Sequence, residues 1–424
     1  MKGNLAAGNA LWLIGGRLAQ SAISLVVGIL TARYLGPSDY GLIHYAAGIT
    51  GFFAAFCTLG LPSVLVRELL EGRQEGTVLG TALVMQWVSS ACSAATILFL
   101  QRGQPESLRW VMVWSCGAMV LRTFDTFHLF FQARQRSKVT AVILLAAHSA
   151  AMVYRAALLI LGKSVVWFAF GSVLECLWTG GLLIWAYRRE EGPALGVSRE
   201  MARQLWEKSR HFILPGLMVA VYAQTDKVML TNMLGQEHTG FYSAAVSLCN
   251  GWCFVLSAII EAMTPEILGA YHRSGGVFER KNRQLYAVIF WISAGMAVVF
   301  GCFGRTLVGF VYGQDYLAAV APLKILGWYT AFSYLGVARN PWIVCREAQS
   351  RLVWAYAAAA GANVVLNWQM IPRWGVSGAA AASLAAQVLS AVAVPWFIPE
   401  LRENSRLMME AMLLKNLRNR EEIP

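Results

Sequence analysis

Stretches of about twenty apolar residues recur some twelve times along this 424-residue chain, and that recurrence restricts the fold more than any other feature. About 20 such residues, rising 1.5 Å each, cross the roughly 30 Å hydrocarbon layer of a bilayer. Inside that layer a helix satisfies every backbone amide within its own segment. The predicted spans are about 9–31, 40–61, 78–100, 108–132, 140–162, 165–187, 210–234, 240–264, 285–304, 317–340, 352–371 and 376–398. After the ninth, apolar residues continue past Arg305 to Val311, which suggests an interfacial turn. The expected fold is all-α: a polytopic membrane protein of about twelve transmembrane helices. Only 14% of residues are charged, where a soluble domain carries about 25%.

The net charge of +12 does not mark a nucleic-acid binder, because the basic residues gather in short loops between apolar spans. Alternate loops divide them unevenly. One set, with both termini, holds twenty-three Lys and Arg; the opposite set holds Arg33, Arg102, Arg109, Lys163 and Arg373. Basic residues stay on the cytoplasmic side, so both termini are expected there and the number of spans is even. The first apolar run is too long for a signal-peptide core and contains Arg17, so it reads as an uncleaved span. None of the 8 cysteines forms a CxxC pair, and no metal or disulfide framework is expected. HExxH, GxxxxGK[ST] and GxSxG are absent from the sequence, so no cofactor and no enzymatic role are expected.

The longest loop, Arg188 to Arg210, contains Gly192-Pro193 and an amphipathic stretch. It divides the chain into an N-lobe (1–187), a linker (188–209), a C-lobe (210–398) and a basic tail (399–424). The lobes echo each other. Leu35-Gly36-Pro37-Ser38-Asp39-Tyr40-Gly41 aligns with Leu234-Gly235-Gln236-Glu237-His238-Thr239-Gly240, and Ala46 with Ala245, at a constant offset of 199. Six spans per half make the copies parallel. The expectation is two six-helix lobes about a pseudo-two-fold axis along the membrane normal, with a site at their interface.

Charged residues inside the spans are the candidate site. Arg17, Arg122, Arg155 and Lys227 lie well within apolar stretches. Each costs about 2.5–3.5 kcal/mol to insert, so four cost on the order of 10 kcal/mol unless anions or water receive them. Placed along their helices they form a ladder that an anionic group can follow. Other readings stand beside this one: Arg17 snorkels to the inner interface, and Arg122 pairs with Asp125, three residues on. Arg155 has no acidic neighbour within a turn of its own helix. Tyr222-Ala223-Gln224-Thr225-Asp226-Lys227 is the densest polar cluster in any span. Asp226 and Lys227 point about 100° apart, so one faces a cavity while the other meets a neighbouring helix. Asp226 and Asp125 are candidate proton or cation sites. Gln224, Tyr222, Asn363 and Asn367 are candidate cavity-lining groups. Glu175, His128 and His148 also lie at depth.

Several motifs resemble one family in order and spacing. They are Asn9 to Trp12 with Arg17 and Gln20, Ala32-Arg33-Tyr34-Leu35-Gly36-Pro37-Ser38-Asp39-Tyr40-Gly41, Leu59-Gly60-Leu61-Pro62 and Val66-Arg67-Glu68. In the second half they are Ala223-Gln224-Thr225-Asp226-Lys227, Gly240 to Ala245, Tyr312-Gly313-Gln314-Asp315-Tyr316 and Arg373 to Ala379. The chain resembles the polysaccharide-biosynthesis flippases, O-antigen and exopolysaccharide exporters of the multidrug/oligosaccharidyl-lipid/polysaccharide superfamily. That resemblance implies an alternating-access cavity in the bacterial inner membrane. It implies a cargo of undecaprenyl-pyrophosphate-linked oligosaccharide, coupling to H+ or Na+, and contact with membrane lipid and other glycan-assembly proteins. Of the four basic candidates only Arg17 and Lys227 fall in stretches that carry the likeness. The chain lacks the two extra helices of the peptidoglycan-precursor branch. A multidrug or small-solute antiporter, a polymerising or ligating membrane enzyme and a scaffold without transport activity stay open as alternatives.

Overall fold

A computed structural model describes residues 2–71 and 74–415, with side chains from residue 23 onward except at 137. The described residues form sixteen α-helices and no strand. The first half contains α1 (Lys2–Thr58), α2 (Pro62–Leu70), α3 (Glu75–Leu100), α4 (Glu106–Leu121), α5 (Thr126–Ala133), α6 (Ser137–Ile160), α7 (Val165–Arg189) and α8 (Arg199–Ser209). The second contains α9 (Ile213–Leu234), α10 (Gln236–Tyr271), α11 (Gly275–Val311), α12 (Val320–Ala338), α13 (Asn340–Cys345), α14 (Gln349–Val388), α15 (Val394–Phe397) and α16 (Pro399–Met412).

Seven stretches of the described residues are long and apolar enough to cross a bilayer, among them Ile23–Leu70 (48 residues) and Gln349–Phe397 (49 residues). Helices of that length would exceed about 70 Å, so each must reverse. They do so at glycines: Gly36 (φ 73°, ψ 172°) breaks α1 and Gly375 (φ 56°, ψ −133°) breaks α14. Counting these two twice and adding the α4–α5 pair, α9 and α12 recovers the twelve predicted passes. Apolar side chains remain on the outside, such as Trp185 and Trp368, 56% and 66% exposed, as a lipid-facing surface requires. Trp110, Trp206, Trp328 and Trp374, at or near span ends, are exposed as well.

Three details depart from the sequence reading. The predicted span 108–132 is broken, because a 3-10 turn, Arg122–Asp125, separates α4 from α5. Thr123 and Thr126 flank the break, donating to the Val120 carbonyl (2.8 Å) and to Gln86 Oε1 (2.6 Å). No turn follows Arg305; α11 runs on as one helix to Val311. The described part of the basic tail, α16, is integral to the fold. Its Leu401, Leu407, Met408 and Ala411 are buried beside Tyr286, Leu335 and Trp342.

The chain divides into two compact units, residues 1–224 and 225–424. The division falls inside α9 rather than in the predicted linker, which is docked on unit 1. Gly196 N–H donates to the Gly76 carbonyl (3.2 Å) and Ser198 N–H to Thr81 Oγ1 (3.1 Å). Lys208 meets Glu68 at 2.7 Å. The core of unit 1 gathers Leu61, Leu65, Phe127, Phe130, Leu183 and Leu205.

Candidate functional site

In unit 2 the polar residues converge on Asp226, which is buried in α9. Four neutral donors surround its carboxylate. Asn367 Nδ2 lies 2.7 Å and Asn363 Nδ2 3.2 Å from Oδ1; Tyr242 Oη donates to Oδ2 at 2.5 Å, and Ser383 Oγ donates to the same oxygen. The two asparagines precede the Gly375 reversal of α14 and Ser383 follows it, so both passes of that helix reach one carboxylate. Asn363 and Asn367, read as cavity-lining from the sequence, are instead fully buried. Their Oδ1 atoms accept no hydrogen bond within the described structure. Carboxylate, hydroxyl and amide oxygens are the donor set that hard cations prefer, and a carboxylate also takes a proton. Lys227 is half-buried beside it, and its charge and that of Asp226 act on each other.

Unit 1 holds a second cluster, built by α1, α6, α7 and the 3-10 turn. His148 Nδ1 is 2.8 Å from Glu175 Oε1, and His148 Nε2 is 2.7 Å from Ser24 Oγ. Arg155 Nη2 stands 3.6 Å from Glu175 Oε2 and 3.4 Å from Ser172 Oγ. No acidic residue lies within a turn of Arg155 on its own helix, and its carboxylate partner comes from α7. Arg122 and Asp125 are exposed on the 3-10 turn. Arg122 is close enough to Asp125, Glu175 and Cys176 for its charge to act on all three. Arg122, Asp125 and Arg155 therefore belong to one neighbourhood, centred on Glu175.

The other candidates are more scattered. The Gln224 side chain packs against Gly51 of α1, where a Cβ would sit 2.9 Å from it. Tyr222 is half-buried. Arg17 falls in residues 1–22, whose side chains lie outside the described residues.

Some participants escaped sequence reasoning. Tyr242 and Ser383 look like ordinary residues of apolar spans; only their distance to Asp226 in space identifies them. Arg339, 1% exposed, donates to the Ser390 and Ala391 carbonyls (3.2 and 3.4 Å) in the π-helical turn Leu389–Ala393. It lies one residue inside the end of the predicted tenth span, and nothing in the sequence around it signals this burial.

Comparisons with known proteins bear on this architecture. Residues 6–270 match the family described as "Polysaccharide biosynthesis protein". An uncharacterized membrane protein of Methanocaldococcus jannaschii is 19% identical over 224 residues, 51% of this chain and 43% of that protein; the match thus spans less than half of that relative. Among solved structures, the lipid II flippase MurJ in an inward closed conformation superposes with TM-score 0.71 at 11% identity. That alignment covers 95% of this chain and 91% of the other. An inward-facing multidrug-resistance MATE family transporter of the MOP superfamily gives TM-score 0.65 at 14% identity, covering 94% and 96%. These likenesses show the fold, and because the family match extends over more than half of the residues, the chain belongs to the polysaccharide biosynthesis protein family.

Proposed function

We propose that the protein is a flippase. It moves a polyprenyl-pyrophosphate-linked oligosaccharide, an O-antigen or exopolysaccharide repeat unit, from the inner to the outer leaflet of the bacterial inner membrane by alternating access. Both termini are cytoplasmic in this reading, as the uneven distribution of basic loops supports. It is a transporter rather than an enzyme. Family membership and the flippase fold of one structural neighbour support the cargo class. The observation that carries the coupling is the carboxylate of Asp226, buried among four neutral donors and two amide oxygens with room for further hydrogen bonds. Occupation by H+ or Na+ cancels its charge, and release restores it. A carboxylate alternating between two charge states inside a bundle biases that bundle between conformations. The pyrophosphate is met by the basic residues of the spans, Arg17, Arg122, Arg155 and Lys227, and Asp125, beside Arg122, is a second ion-coupling carboxylate. Tyr222 and Gln224 complete the polar surface of α9.

The test is flipping of a fluorescent lipid-linked oligosaccharide in proteoliposomes under an imposed ion gradient. Asp226→Asn removes the charge while preserving shape, and a charged hydrogen-bonding partner contributes about 1.5–3 kcal/mol. Gradient-driven flipping should fall about tenfold or more. An unchanged rate assigns Asp226 to packing alone. Efflux of an organic cation in place of glycolipid flipping would instead select the small-solute antiporter, which the exposed carboxylate of Asp125 would suit.

A further inference from the structure

Among the described side chains of unit 1, the basic residues Arg122 and Arg155 stand beside acidic ones. Arg122 and Arg155 share one neighbourhood with Asp125 and Glu175, so two basic and two acidic side chains gather around one histidine. His148 is 8% exposed and joins three helices: α6, which carries it; α7, through Glu175; and α1, through Ser24. Glu175 accepts from Nδ1, which fixes the tautomer and leaves Nε2 as an acceptor for the Ser24 hydroxyl. A proton arriving at Nε2 has two effects. It reverses the Ser24 bond, so that the ring donates and the hydroxyl must turn elsewhere. It also adds one positive charge to the cluster, with Glu175 now held between two cations.

We propose that His148, Glu175 and Ser24 form a proton-binding site in unit 1, separate from Asp226, which makes this cluster more attractive to an anionic phosphate group when His148 is protonated. This deepens the proposed function and rests on its phosphate-bearing cargo, though the proton site itself does not. Linkage requires reciprocity: the anion raises proton affinity by the factor with which the proton raises anion affinity. Histidine is the side chain whose charge changes between about pH 5 and 8. Among the described side chains, Ser24 of α1 and Glu175 of α7 meet the ring; Arg155 of α6 and Arg122 of the turn act on Glu175, with Tyr40 of α1, Cys176 of α7 and Asp125 of the turn around them. Arg155 and Arg122 lie close enough for their charges to act on Glu175, the carboxylate that would stabilise the imidazolium.

Two measurements on the full-length protein in nanodiscs test this. Histidine-labelled 15N NMR, with His148→Gln to assign the signal, follows the ring between pH 5 and 8 without any ligand. A His148 that keeps one protonation state across that range overturns the proposal, whatever the cargo proves to be. Calorimetry with inorganic pyrophosphate in buffers of different ionisation enthalpy then counts protons taken up on binding. The wild type should bind on the order of tenfold tighter at pH 6 than at pH 8, with more proton uptake than His148→Gln. Equal uptake in both proteins, or no pyrophosphate binding at either pH, overturns the proposal. Because the probe carries neither lipid nor sugar, a failure of glycolipid flipping in proteoliposomes remains a separate result.

Discussion

At the scale of single residues, Asp226 shows how a carboxylate is held inside an apolar bundle by neutral donors on both oxygens. Tyr242 and Ser383 donate to one oxygen and Asn363 and Asn367 to the other. Hydrogen bonds to a charged group are the strong ones, and losing one leaves desolvated charge behind. Asn367→Leu leaves Oδ1 with only the 3.2 Å bond from Asn363. We expect a loss of about 1–3 kcal/mol, read as a lower unfolding midpoint of the detergent-solubilised protein. Added sodium or lowered pH should recover part of it by neutralising the carboxylate. Trp368→Leu changes the adjacent residue, which is 66% exposed, and should shift stability by no more than about 0.5 kcal/mol. Equal losses in the two variants would mean that Asp226 does not depend on its amide donors.

Between elements, the least expected contact is the linker lying along α3. The α3 glycines make it possible: a Cβ on Gly76 would stand 2.1 Å from the Ala194 carbonyl oxygen, and one on Gly80 2.3 Å from that of Gly196. Tyr187 closes the other side, its ring against Gly192 and its hydroxyl donating to the Pro193 carbonyl. Gly80→Val must therefore displace the linker backbone, and the segment 190–198 should become cleavable by protease while the helical circular dichroism is retained. Unchanged resistance would show that the linker is held by Lys208–Glu68 and α8 instead. None of this docking was legible in the sequence, where Gly76 and Gly80 pass for the small residues common in spans. The spans themselves were legible, because their hydropathy is a property of each segment alone. Asp226, Asn363 and Asn367 could be picked out one by one as polar groups at depth. Their convergence could not, since it depends on helices some 140 positions apart. The partner of Arg155 was hidden for the same reason: its carboxylate, Glu175, is on the next helix. The α16 contacts escaped too, because the tail's charge hid the pairs Arg283–Glu410 (2.9 Å) and Asn404–Tyr286 (2.6 Å) that seat it.

At the scale of the whole molecule, the faint internal repeat acquires physical content in the backbone. Gly36 has φ 73° and ψ 172°; Gly235, its counterpart 199 positions on, has φ 99° and ψ 166°. Both lie in a region that is essentially reserved for glycine. In each half this residue turns the chain from the first span into the second, and the positions that follow are buried alike, with Ala46 and Ala245 both at 0% exposure. Two halves that have diverged almost everywhere in side-chain identity thus keep one dihedral solution for the same reversal. Neither glycine has any atom within 4 Å of where a Cβ would be, so a substitution there meets no neighbour and its cost is purely conformational. Gly36→Ala and Gly235→Ala should each lose about 1–3 kcal/mol, and by similar amounts, in thermal or denaturant unfolding in detergent. Gly181 and Gly301 supply the comparison. They too have open space around them but sit in regular helix, where alanine gains up to about 1 kcal/mol over glycine. If Gly36→Ala were tolerated while Gly235→Ala was not, the two reversals would have to differ in strain despite their matching angles. The likeness between the halves would then be one of sequence without a shared structural cause.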